Sequence, residues 1–241
     1  MKKISLIIGG HRGIGKSILT NLTKRGDQVF CISRTKILKK NFIKADITSN
    51  DGEKEIIKFF KKYKINNLIF AQRYRGKNNQ EEYDVILKAT TKIIKHAKFK
   101  KNNSSIVILG SIASSTVIGD QDDVYHMTRG ALETLTKYYA FKLGKFKTRV
   151  NCIQPTKIFK PENKKFFSKK NNTERKLIEK ITPLKRMGTS NDIADLVNFL
   201  TSEKSSYITG TIIPVDGGLR LVGQEQIAKM FKKWKIYLSQ V

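Results

Sequence analysis

Short apolar runs alternating with helix-period segments constrain this chain more than any other feature. KISLIIG (residues 3–9) reads as a buried strand, and residues 14–26 as a helix stopped at Gly26. DQVFCIS and NFIKAD follow as strands, then a helix over 50–64, the strand NNLIFA and a helix over 81–98. SSIVILGS is a strand, 124–144 a long helix and TRVNCIQ a strand. Strands apolar at nearly every position need cover on both faces, and strands separated by helices run parallel. The expected fold class is α/β, a doubly wound parallel sheet with helices on both faces. The 241 residues contain no Pro-, Gly- or Ser-rich linker and no internal repeat, so one domain is expected.

Two segments stand apart. Residues 156–182, TKIFKPENKKFFSKKNNTERKLIEKIT, are too long and polar for an ordinary connection and read as a lid. In the C-terminal extension, residues 219–241, a helical stripe carries Ile227, Phe231, Trp234 and Leu238 with lysines around it.

The formal net charge is +28, a balance that can signal nucleic acid, an anionic membrane or an acidic substrate. The lysines lie along most of the chain instead of in one tail, which favours a solvated basic surface over nucleic-acid binding. Contact with a membrane surface through the C-terminal helix is the minority reading. The apolar run after Met1-Lys2-Lys3 is too short for a signal-peptide core, and no stretch is apolar enough to span a bilayer, so the expected compartment is the cytoplasm. Cys31 and Cys152 sit in strand-like runs and read as buried thiols. His11, His96 and His126 have no ligand spacing, so no metal site is expected.

IIGGHRGIGKS follows a strand and opens a helix, an arrangement that cradles phosphate on backbone amides. Two chemistries compete for it. Gly10, four residues, then Gly15-Lys16-Ser17 satisfies the loop of a nucleotide triphosphatase. Gly9-xxx-Gly13-x-Gly15 resembles the glycine motif of the short-chain dehydrogenase/reductase family. The triphosphatase reading also needs a magnesium-binding Asp at the end of an apolar strand, and Asp46 is the only acid so placed.

Taken with ADIT, SIVILGSIAS, Tyr125 followed by a cation at 129, RVNCIQP and PLKRMGTSNDIADLVNFLTSEKSSYITGTIIPVDGG, the chain resembles the short-chain dehydrogenase/reductase family over residues 3–218. The resemblance is nearest the 3-oxoacyl-acyl-carrier-protein reductase branch, with an altered active site. It implies a Rossmann-type sheet of about seven strands with a nicotinamide dinucleotide at the strands' carboxyl ends. By resemblance, Gly9, Gly13 and Gly15, with Ile14, form the pyrophosphate loop, and Asp46 with Ile47 meets the adenine. Ala71, Pro155 and Ile158 contact the cofactor, Ser111 orients the substrate carbonyl, and Tyr125 is the general acid. The family also implies a homo-oligomer, a tetramer or dimer, paired through the helices near 81–98 and 124–144.

Four departures matter. The family's Asn-Asn-Ala-Gly is Phe70-Ala71-Gln72-Arg73, and its water-anchoring helix asparagine is Thr90. Its Pro-Gly is Pro155-Thr156, with Lys160 in place of a cofactor-binding threonine. Its lysine is Arg129, which keeps the charge but cannot pass on a proton. Retained but retuned catalysis is expected, against the alternative of a dinucleotide-binding protein without turnover. NADP(H) is expected ahead of NAD(H), because the second strand ends in Ser33-Arg34 instead of an acid, with Arg12 as a second cation. Arg73 and Arg75, with the lid lysines, point to an anionic substrate such as a sugar nucleotide or a carrier-linked acyl group.

Overall fold

In the computed structural model, residues 2–38, 40–101, 103–159 and 172–238 are described. From the N-terminus the elements are β1 (Ile4–Ile8), α1 (Gly13–Lys24), β2 (Gln28–Ser33), β3 (Phe42–Lys44), α2 (Asn50–Lys62) and β4 (Asn67–Phe70). Then come α3 (Asn79–Tyr83), a π-helical turn (Asp84–Lys88), α4 (Ala89–His96), β5 (Ser104–Leu109) and α5 (Asp123–Gly144). The rest comprises β6 (Thr148–Pro155), β7 (Ile158–Phe159), α6 (Asn172–Ile181), β8 (Gly188–Thr189), α7 (Ser190–Leu200), β9 (Ile212–Val215) and α8 (Gln224–Leu238).

Seven strands form one parallel sheet in the order β3-β2-β1-β4-β5-β6-β9, and β7 pairs separately with β8. The doubly wound parallel sheet expected from the alternation is what forms. Its strands are apolar throughout because alternate residues enter different cores. Leu6, Ile8, Leu68, Phe70, Ile106 and Ile108 pack on one face with Ile56 and Phe60 of α2, Ile93 of α4 and Leu132 of α5. Ile7, Ile69 and Val107 pack on the other with Ile18 and Leu22 of α1 and Val197 and Leu200 of α7. A one-residue slip would exchange the two sets.

The helix expected over 81–98 is broken into three parts. At the π-helical turn the Ala89 amide reaches back to the Asp84 carbonyl, and the Thr90 hydroxyl donates to the Ile86 carbonyl at 2.6 Å. Insertions of this kind cluster at functional sites. Within the expected lid, residues 156–182, β7 and α6 are described, whereas 160–171, with Lys160, lie outside the described residues. The side chains of Trp234 and Leu238 in α8 also lie outside them. No helix among the described residues is long and apolar enough to cross a membrane.

Candidate active site

β1 delivers the chain to Gly9, which turns with φ of 86° before α1 begins at Gly13. A Cβ on Gly9 would lie 2.8 Å from the Gln72 backbone, and one on Gly15 would lie 2.4 Å from the Gly9 carbonyl oxygen. The loop is therefore flattened against the exit of β4 in a way only glycine permits. Arg12 precedes α1 without a side-chain cap, so the first turn's amides are left to an anion. A cradle that side chains would fill, at an uncapped helix start, fits the pyrophosphate of a dinucleotide. Lys16, on which the triphosphatase reading turns, is exposed and lines neither cavity described below.

Arg12, Gly13, Ile14, Gly15, Ala71, Arg73, Arg75, Ser111, Tyr125, Arg129, Pro155 and Ile158 all line one cavity of about 400 Å³. They come from the carboxyl ends of β1, β4, β5 and β6, from β7, from the first turn of α1 and from the first two turns of α5. A neighbouring cavity of about 670 Å³ shares Arg12, Arg73, Arg75 and Tyr125 with it and adds Glu82 and Asp122. Ser33, Arg34, Asp46 and Ile47 lie off these cavities, at the ends of β2 and β3. The Ser33 hydroxyl meets His11 Nδ1 at 3.0 Å and accepts from the Thr35 amide. Partial burial pushes the Asp46 carboxyl up, but bonds from the Thr48 amide and hydroxyl and the charge of Arg34 outweigh it, leaving it below its ordinary range.

Tyr125 stands at the first turn of α5, where Asp122 caps the helix by accepting from the Tyr125 amide at 2.9 Å. Arg129, one turn on, stacks its guanidinium over the Tyr125 ring, 4.4 Å from the centroid. Both Arg129 and its partner are buried, at 4% and 6% exposure. That partner is Glu82 of α3, whose Oε1 accepts from Arg129 Nη2 at 2.8 Å and from the Thr128 hydroxyl at 3.2 Å. Burial pushes the Glu82 carboxyl above its ordinary range, with Asp122 adding to the shift and Arg129, Thr128 and Arg73 opposing it.

Thr90 is fully buried and lines neither cavity. Besides its bond to Ile86, its hydroxyl accepts from Gln72 Nε2 at 2.9 Å. Gln72 lines the smaller cavity, and its Oε1 is buried with no hydrogen-bond partner among the described residues. Gln72, held from behind by Thr90, thus stands between Thr90 and the cavity. Ser111 is buried and accepts from the Ala113 amide, opening a 3-10 turn over Ile112–Ser114. His126 pins that loop to α5 through the carbonyl of Ala113, 2.7 Å from Nδ1, and the backbone of Ile118.

Glu82, Gln72 and His126 were missed at the sequence level. Glu82 and Arg129 are 47 positions apart, and no spacing rule connects a loop-proximal acid to a helix cation at that distance. Gln72 carried the one available signal, a departure from the family motif. The two cysteines are free and buried as expected, and burial pushes their thiols up to about 11 at Cys31 and about 12 at Cys152. They pack beneath Gly10 and Gly110, at the exits of β1 and β5.

Residues 71–220 match the family described as enoyl-(acyl carrier protein) reductase. A 3-oxoacyl-(acyl-carrier-protein) reductase of Buchnera aphidicola is 32% identical over 246 residues, spanning 90% of this chain and 97% of that protein. The crystal structure of a short chain dehydrogenase family protein from Francisella tularensis superposes with a TM-score of 0.80 at 26% identity, covering 92% of this chain and all of that one. A short chain dehydrogenase from Leptospira borgpetersenii with bound NAD+ superposes at 0.78 with 27% identity, covering 91% and 93% of the two chains.

Proposed function

The chain belongs to the short-chain dehydrogenase/reductase family and is an NAD(P)-dependent oxidoreductase; from that premise we propose that it uses NADP(H) to interconvert a carbonyl and an alcohol on an anionic small molecule. One observation carries this reading. The glycine loop, the Ser111–Tyr125 pair and the cations Arg12, Arg73 and Arg75 line one cavity.

When bound, the dinucleotide supplies or accepts the hydride. The chain's own residues do the rest. The first-turn amides of α1 would hold the pyrophosphate, and Pro155 and Ile158 would contact the dinucleotide. Ser111 orients the substrate oxygen, and the Tyr125 hydroxyl gives its proton to that oxygen as negative charge develops there. Arg73 and Arg75 hold the anionic group of the substrate by charge-assisted hydrogen bonds.

The relative from Leptospira carries NAD+. The preference for NADP(H) here rests on this chain's residues: no acid at the end of β2 would repel a 2′-phosphate, and Arg34 and Arg12 would attract it. Among substrates, carrier-linked 3-oxoacyl groups, after the Buchnera relative, and sugar nucleotides both bear phosphate. A panel of phosphorylated and unphosphorylated carbonyl compounds, followed by NADPH fluorescence, tests the reading. Turnover confined to anionic compounds supports it. Binding of NADPH without turnover of any compound would refute it.

A further inference from the structure

A reductase tyrosine that gives up a proton at each turnover must recover one. Arg129 is charged but does not release protons under ordinary conditions. Thr90 has committed its hydroxyl to Ile86 and Gln72. Yet Tyr125 shares the larger cavity with three carboxylates, Glu82, Asp120 and Asp122. The two aspartates are exposed, and Asp122 is engaged as the cap of α5. Glu82 alone is buried, and it touches the arginine that stacks on the Tyr125 ring.

We propose that Glu82 is the proton relay of this site, drawing protons from the solvent of the larger cavity and returning them to Tyr125. The assignment rests on the reductase reading above. In the reducing direction, the Tyr125 O–H bond breaks as the substrate oxygen takes the proton. The resulting phenolate recovers a proton from the Glu82 carboxyl through cavity water, and the Glu82 carboxylate recovers one from bulk solvent. No electrons move in these steps, since the hydride and its electron pair come from NADPH. Glu82 acts through Tyr125 and does not touch substrate.

The surroundings suit a group that must exist in both protonation states. Arg129 and Thr128 on α5 favour the carboxylate, as does Arg73 after β4, whereas burial and Asp122 favour the acid, which prevails in raising the carboxyl. Arg12, Arg75, Lys77 and Tyr74 complete the charged and titratable groups facing the cavity. Arg129 then has a physical role. It keeps the Glu82 carboxylate tolerable in a buried place and couples its charge to the tyrosine.

The test is the pH dependence of kcat with NADPH and an accepted carbonyl for wild type, Glu82→Gln, Glu82→Asp and Glu82→Ala. Glu82→Gln should lower kcat by roughly 10- to 100-fold, with NADPH affinity unchanged, and should remove the decline in kcat that accompanies Glu82 deprotonation. Glu82→Asp should keep a displaced decline, and formate should partly restore Glu82→Ala in proportion to its concentration. A folded Glu82→Gln with unchanged kcat and pH profile would overturn the proposal. So would a slow Glu82→Gln whose profile keeps its shape, together with no formate rescue, because that pattern marks a purely structural residue. Should Glu82→Gln fail to fold, Glu82→Asp decides: a displaced decline supports the relay and an unmoved one overturns it. Wild type that binds NADPH but turns over nothing would instead remove the reductase reading, and the relay with it.

Discussion

Arg129 places its guanidinium carbon 4.4 Å from the centroid of the Tyr125 ring, one turn away on α5. The cation therefore lies over the ring face, and its nearest formal counter-charge is Glu82. The phenol is held by stacking, and its hydroxyl makes no hydrogen bond among the described residues. Tyr125→Phe keeps the ring and removes only that oxygen. It should lower turnover by about 10²–10⁴-fold while leaving NADPH binding near normal, as read by steady-state kinetics and fluorescence titration. Unchanged turnover would move the proton donor elsewhere.

Arg129→Ala strands a buried carboxylate and should cost about 3–5 kcal/mol in urea unfolding at neutral pH. The pH dependence has a definite sign. Glu82 is raised in the folded chain, so the native state binds more protons than the unfolded one between the two values. Its contribution is therefore present at acid pH and is lost as pH rises through the folded value. Without Arg129 the rise is larger, so the variant should recover stability on acidification towards the ordinary carboxylate range more than wild type does. Arg129→Lys, which keeps a cation near Glu82, should lose less.

The proposed preference for NADP(H) rests on two exposed arginines, Arg12 and Arg34. Replacing either by Ala should weaken NADPH about tenfold, or about 1.4 kcal/mol, and NADH less than about twofold. Isothermal titration of both cofactors against both variants checks this. Equal losses for the two would show that neither arginine reads the 2′-phosphate.

Gly15→Ala brings a Cβ to 2.4 Å from the Gly9 carbonyl oxygen, a backbone atom that cannot rotate away. The variant should lose NADPH binding outright, with a lowered Tm. Full binding at wild-type affinity would count against the loop as the pyrophosphate site.

A homo-oligomer remains the expectation for the intact protein. α5 leaves Met127, Tyr138 and Phe141 more than half exposed, with Phe141 at 83%. Light scattering should give more than one chain per particle, and Phe141→Glu should reduce that number. A monomeric wild type at micromolar concentration would end the expectation.

The sequence by itself determined the sheet, the glycine loop and part of the lining of one cavity, but neither Gln72 in that lining nor the place of Ser33, Arg34, Asp46 and Ile47 away from it. What it determined depends on local periodicity and on glycines whose conformation is a property of the residue, so the information lies within a few neighbouring positions. Runs such as SLII and NLIF also declared burial on both faces. Tertiary structure alone decided the electrostatics behind Tyr125. Arg129 appeared in the sequence as a free cation one turn from the phenol, but folding brings Glu82 of α3 against it and compensates its charge. Likewise Thr90 appeared as a stand-in for an asparagine, whereas its hydroxyl is taken up by the Ile86 carbonyl four residues back and by Gln72. The Arg129–Glu82 and Thr90–Gln72 contacts, 47 and 18 positions apart, leave no period or spacing to read. Which charge a buried side chain meets is settled only when the elements pack.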